Sequence, residues 1–269
     1  MPTPFVFSLE PATWAALVVA ATCAFVLPIA AAFFWRHRAG ASWRAVWVGV
    51  LVYFVSQFVL RIPWQVPLAQ WVSARTGNQG PLFQAFLAFS FFTSGLFEET
   101  GRWVGYRYLM KDRRTRTEGV MMGIGHGGLE AVGLVGVYVA AKLAMAVLAT
   151  FGLLGAERSM NLAAKLTFTP ASALAAGGVE RASAMVLHVG LSLVVLQAFR
   201  RPSGWRWVAA AIALHALANT AGFVALPFGT WAAEGVIAVV AAGYLWLGWR
   251  LASRDAPGAA AASPAPTGG

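Results

Sequence analysis

The chain has 269 residues, 59% hydrophobic and 11% charged, with a mean hydropathy of +0.66; a soluble domain carries about a quarter of its residues as charges, so an ordinary soluble globule is excluded. The apolar residues fall in long runs rather than alternating, which selects membrane helices over a β-barrel. The formal charge of +10 lies between the apolar runs, where it marks topology and lipid contact rather than a nucleic-acid surface.

Residues 1–11 hold no Lys or Arg, so the basic region of a secretory signal is missing and no cleavage is expected. Seven apolar runs follow, at residues 14–35, 43–60, 82–110, 119–153, 182–199, 207–226 and 231–251. Each is long enough for a hydrocarbon core of about 30 Å, and the third and fourth are long enough to tilt or protrude. The single cysteine, Cys23, sits in the first run and has no disulfide partner. Between runs two and three, Ile62 to Trp71 reads as an interfacial outer segment, with Trp64 and Trp71 at headgroup level. Run four carries Gly123, Gly125, Gly127 and Gly128 around His126, which predicts a kink or a tight helix crossing there. The last stretch, 255–269, is Ala, Pro, Gly, Ser and Thr apart from its first residue, which predicts a disordered tail behind one membrane domain of residues 1–254. The expected fold class is all-α, a polytopic bundle of about seven transmembrane helices.

The loops set an orientation. Arg36, Arg38 and Arg44 follow run one; Lys111, Arg113, Arg114 and Arg116 follow run three; Arg200, Arg201 and Arg206 follow run five; Arg250 and Arg254 follow run seven. The alternate loops hold only Arg61, Arg75, Arg158 and Lys165. The positive-inside rule then places the N-terminus outside and the C-terminus in the cytoplasm, in a cell membrane.

A charged side chain at mid-bilayer costs at least about 2.5 kcal/mol, so each one needs a partner, a wet cavity or a chemical role. Run three carries Glu98, Glu99 and Arg102. Run four carries His126 and Glu130, run five His188, and run six His215 and Asn219. Glu180 and Arg181 precede run five and read as a structural ion pair at the outer edge. Spacings of three or four place Arg102 under both carboxylates, and pair His126 with Glu130, His188 with Ser192 and His215 with Asn219 on common helical faces. At about 1.5 Å per residue, Glu98 lies about 20 Å from Lys111, Arg102 about 14 Å from it, His126 about 15 Å from Arg116, His188 about 18 Å from Arg200 and His215 about 14 Å from Arg206. Four helices thus deliver ionisable groups to one layer.

Glu, His and Asn in one buried layer suit water activation and oxyanion stabilisation, which is peptide hydrolysis without a covalent enzyme intermediate. The only aspartates, Asp112 and Asp255, lie outside the runs, so an aspartyl pair is excluded. H-E-x-x-H and G-x-S-x-G are absent. No cofactor is required by this reading. In a metal-dependent alternative, His126, Glu130, His188 and His215 are the donors and zinc is the fitting ion. Proton-coupled transport and a non-catalytic membrane scaffold are further alternatives, the first weakened by the lack of an inverted repeat. The partner is a membrane protein or peptide substrate in the lipid bilayer.

The stretches Glu98-Glu99-Thr100-Gly101-Arg102, Gly123 through Glu130, Glu180-Arg181 through His188, and His215 through Asn219 resemble the YhfC family of intramembrane peptidases. That family resembles in turn the type II CAAX-prenyl proteases, the PrsW-type proteases and the scaffold subunit of gamma-secretase. The resemblance implies that Glu98 and Glu99 activate water, that His126 assists, and that His215 and Asn219 hold the oxyanion, with His188 an alternative for that histidine. Glu99 and Arg102 have two residues between them where the prenyl proteases usually have three, and Met122 stands where those proteins carry a Phe.

Overall fold

A computed structural model describes residues 7–253, and these are helical with no strand among them. Seven of the helices are long and apolar enough to cross a membrane: α1 (Pro11–Ala39), α2 (Trp43–Thr76), α3 (Gly80–Leu109), α4 (Arg116–Thr150), α6 (Ala171–Phe199), α7 (Gly204–Phe228) and α8 (Thr230–Ser253). A short helix, α5 (Ala156–Thr167), joins α4 to α6. Helices are the form these runs must take, because hydrocarbon offers no partner to an open backbone N–H or C=O. The ends are cut by local chemistry. Gly40 (φ 68°) and Gly77 (φ 58°) close α1 and α2 in the left-handed region, and Ser42 and Thr115 cap α2 and α4 by accepting from the Ala45 and Glu118 amides.

The boundaries depart from the sequence expectation in three places. The second run does not stop at residue 60, and residues 62–71 continue its helix. A π-helical stretch, Phe54–Arg61, carries the backbone into Ile62–Thr76, with the Ile62 amide bonding the Gln57 carbonyl. Pro63 follows at the start of the new helical segment, where a missing N–H is tolerated. The fifth span starts at Ala171 rather than 182, so Glu180 and Arg181 lie inside the helix and not at its mouth. Finally, α5 is too short to span and has no long apolar run to betray it; it buries Ser159, Leu162 and Leu166 on one face. The sequence-expected tail, 255–269, lies outside the described residues.

The helix at the centre is α6. Its apolar window is 72% buried, against 17–39% for the other six spans. It packs against α4 and α8, and Leu191, Leu193 and Leu196 meet Met121 and Met122 in the core. Lipid offers no hydrophobic gain for helix association, so close backbone approach has to hold such a bundle together. A Cβ at Gly123 would lie 2.5 Å from Val189 Cα, and one at Gly125 would lie 2.2 Å from the Val46 carbonyl oxygen. The glycine run around His126 is therefore a double crossing, with α6 on one side and α2 on the other. The α-helix is continuous through it from Arg116 to Ala131.

Candidate active site

The crossing sets His126 deep in the bundle, and the charged faces of α3, α6 and α7 close around it. Glu99, Arg102 and His126 have no exposed surface, and Glu98, His188 and His215 are 2–4% exposed. Three π-helical turns frame the cluster: Phe54–Arg61 in α2, Gly105–Leu109 just after Arg102, and Val132–Gly136 just after Glu130. Such turns rotate the following side chains off the ordinary helical register, and they recur at functional sites.

The two adjacent glutamates have separate surroundings. Arg102 takes Glu99 alone, through Nε to Oε2 at 3.0 Å and Nη2 to Oε1 at 3.3 Å; it does not bridge both carboxylates, as the i, i+4 spacing to Glu98 had allowed. His215 Nδ1 lies 2.9 Å from Glu99 Oε1. With Glu99 ionised beside Arg102, that nitrogen donates, and the lone pair of His215 sits on Nε2, 3.9 Å from Glu98 Oε1. Glu98 is held by other hands. Gln57 Nε2 donates to its Oε1 at 2.6 Å, Ser94 Oγ donates to the same oxygen at 3.0 Å, and His126 Nε2 lies 2.9 Å from its Oε2. His126 Nδ1 is buried with no hydrogen-bond partner among the described residues.

His188 joins the two halves. Its Nδ1 is 3.1 Å from Arg102 Nη2, and its carbonyl accepts from Arg102 Nη1 at 3.0 Å. A guanidinium only donates, so Nδ1 accepts here and the ring proton sits on Nε2, in contact with Glu130 and 3.9 Å from Glu98 Oε2. The ring centroids of His126 and His188 are 4.7 Å apart, and those of His188 and His215 5.4 Å. Arg181 donates to Glu130 at 2.9 Å and also binds Glu180. The pair placed at the outer edge from sequence therefore reaches the cluster through Glu130, because α6 begins earlier than its apolar run suggests.

Glu98, Glu99, Arg102, His126, Glu130, His188 and His215 are thus one contiguous network. Asn219 is half-buried on α7 and forms no side-chain hydrogen bond among the described residues. Ligand atoms of Glu98, His188 and His215 lie within 4.8 Å of one another. Of the donors named from sequence for a metal, His126 and Glu130 fall outside that group and Glu98 enters it: His126 is turned onto Glu98, and Glu130 is shared between Arg181 and His188.

Gln57, Arg61, Ser94 and Tyr53 were missed by the sequence reading. The Tyr53 ring stands edge-on to His126 with centroids 5.1 Å apart. Arg61 Nη1 donates to Gln57 Oε1 at 3.1 Å, which fixes the Gln57 amide with its NH2 toward Glu98. The signal was present: Gln57 is polar in an apolar run with Arg61 four residues on, just past its end, and Ser94 precedes Glu98 by four.

Comparison with known proteins gives the family of the chain. A family model described as "YhfC intramembrane metalloprotease" matches residues 23–241. The uncharacterized membrane protein YhfC of Bacillus subtilis (strain 168) is 32% identical over 215 residues, covering 76% of this chain and 81% of that protein. No solved structure matches. A multi-pass helical chain that matches that family model over most of its length, and carries these buried carboxylates and imidazoles, is a member of the YhfC family of intramembrane proteases.

Proposed function

We propose that the chain is an intramembrane endopeptidase that hydrolyses a peptide bond of a membrane protein or peptide, with Glu98, His188 and His215 at its centre. The observation that carries the reading is the approach of ligand atoms of those three buried side chains, from three helices, to within 4.8 Å of one another. Two imidazoles and a carboxylate are the donor set of one class of catalytic zinc site, and the family description names a metalloprotease.

The residues fit such an ion. His215 presents Nε2 while its Nδ1 is tied to Glu99, the carboxylate–histidine arrangement that orients metal-ligating imidazoles. His188 needs two adjustments: to ligate through Nε2 it must carry its proton on Nδ1, so Arg102 Nη2 has to release that nitrogen, and Glu130 has to give up its contact with Nε2. A bound zinc-class ion supplies Lewis acidity. The chain's own groups supply the rest. Glu130, once free of His188 Nε2 and still paired with Arg181, accepts a proton from the attacking water. Arg102 holds Glu99 and thereby the His215 ring. Asn219, one turn from His215, keeps its amide for the scissile carbonyl.

A second reading rests on the 2.9 Å contact between His126 and Glu98: the two activate water without a metal. Purified protein in proteoliposomes with a library of transmembrane peptides tests both. Wild type cleaves and Glu98→Gln does not. A strong chelator stops cleavage in the metal-dependent form and leaves it intact in the metal-free one. Undiminished cleavage by Glu98→Gln contradicts both.

A further inference from the structure

The arginine-rich end of the bundle carries a cleft unrelated to the buried network. It lies between the ends of α3, α6 and α7 and has a volume of about 470 Å³. Its walls are mostly apolar, with the aromatic rings of Trp103, Phe199 and Trp205 beside Ile212, and its lining includes Arg107. Trp103 and Phe199 stack at 6.2 Å with 20° between their planes. The Arg114 guanidinium lies 4.3 Å from the Phe199 ring centre, and Arg206 lies 5.8 Å from that of Trp205.

These three guanidinium groups have no acid among the described residues. Arg114 gives two of its five N–H donors to the carbonyls of Tyr106 and Arg107, at 3.1 and 3.2 Å, and Arg107 and Arg206 form no ion pair among the described residues. The two acids described on this face are taken, Asp112 by Arg44 and Arg113, and Glu118 by Ser42 and Arg113. Partial burial, and then the charge of Arg107, lower the Arg114 pKa from its ordinary value. Arg107 in the lining, with Arg114 and Arg206 on two of the aromatic rings and no acid paired with them among the described residues, calls for an anion, and a guanidinium pair suits a phosphate. A free phosphate would leave the aromatic walls uncovered. At the border of the hydrocarbon, one ligand satisfies both parts.

We propose that this cleft binds an anionic phospholipid, its phosphodiester on Arg107 and Arg114 and one acyl chain along Trp103, Phe199 and Ile212. Arg206 adds charge at the same rim. A zwitterionic lipid is disfavoured, because its ammonium group would face three arginines. The assignment is independent of the proteolytic reading.

The test is native mass spectrometry of the full chain, released from micelles doped with phosphatidylglycerol or with phosphatidylcholine. Phosphatidylglycerol should be retained preferentially. Arg107→Gln with Arg114→Gln should weaken that retention by about thirtyfold, at about fivefold per arginine. Arg38→Gln with Lys111→Gln removes the same charge elsewhere on this face and should change little. Should the double variant unfold, Arg107→Gln alone serves, since that side chain has no partner to lose among the described residues. Equal retention of the two lipids, equal loss in the control variant, retention unchanged without Arg107, or displacement of the lipid by inorganic phosphate at equal concentration would each overturn the assignment.

Discussion

Arg102 is the most constrained side chain of the network, fully buried and bonded to Glu99 and to both the carbonyl and the ring of His188. Removing one partner of a buried ion pair leaves an unpaired charge, at a cost of about 3–5 kcal/mol. Arg102→Leu should therefore lower the thermal midpoint of the purified protein sharply. Arg102→Lys should recover only part of it, because an ammonium cannot reproduce the planar fork on Glu99. Gln57 plays a different part. It donates to Glu98 and receives from Arg61, so Gln57→Leu should keep the fold and cut turnover by about 10–100-fold, the usual cost of losing a partner behind a reacting group; a thermal midpoint that falls as far as turnover would show a structural role instead. The sequence displayed the ionisable residues plainly, since each stood against hydrocarbon. It did not display their pairing. The i, i+4 spacing of His126 and Glu130 put both on one face, yet the His126 ring goes to Glu98 and Glu130 goes to Arg181 and His188. Such choices are made between helices, and spacing along one helix does not encode them.

At the scale of elements, the glycines of α4 decide whether the site exists. His126 reaches Glu98 only because α4 is pressed between α2 and α6. Gly123→Ala puts a methyl 2.5 Å from Val189 Cα, where backbone has to yield, and overpacking of this kind costs about 1–3 kcal/mol. The expected result is a lower thermal midpoint together with lost peptide cleavage, whereas Gly235→Ala on α8, with nothing within 4 Å of its added Cβ, should be neutral in both. Tight crossing was one of two outcomes legible from the glycine run. The π turns were not legible, because the extra residue per turn has no compositional mark. The result was an α2 read as too short, which hid Gln57 and Arg61 at its apparent end. The early start of α6 was hidden in the same way by Glu180 and Arg181, which look like a boundary until their partner Glu130 is known.

For the whole molecule, the all-helical, seven-span architecture followed from composition and run length, because hydrocarbon leaves the backbone no alternative. The arginine-rich loops carry the orientation proposal of an outer N-terminus and a cytoplasmic C-terminus. A fluorescent reporter on the C-terminus should light up in the cytoplasm, and an alkaline phosphatase fusion there should stay inactive; the reverse pattern would invert the bundle. The polar layer gains its meaning at this scale, since Glu98, His188 and His215 are 90 and 27 residues apart along the chain and meet only through the packing of α3 and α7 on α6. The most direct measurement of that convergence is the metal content of the purified full-length protein, read beside Glu98→Gln and His215→Ala under identical preparation. A single divalent-cation centre predicts about one equivalent in the wild type and a marked loss in each variant. Metal absent from the wild type, or held equally well by both variants, would contradict it.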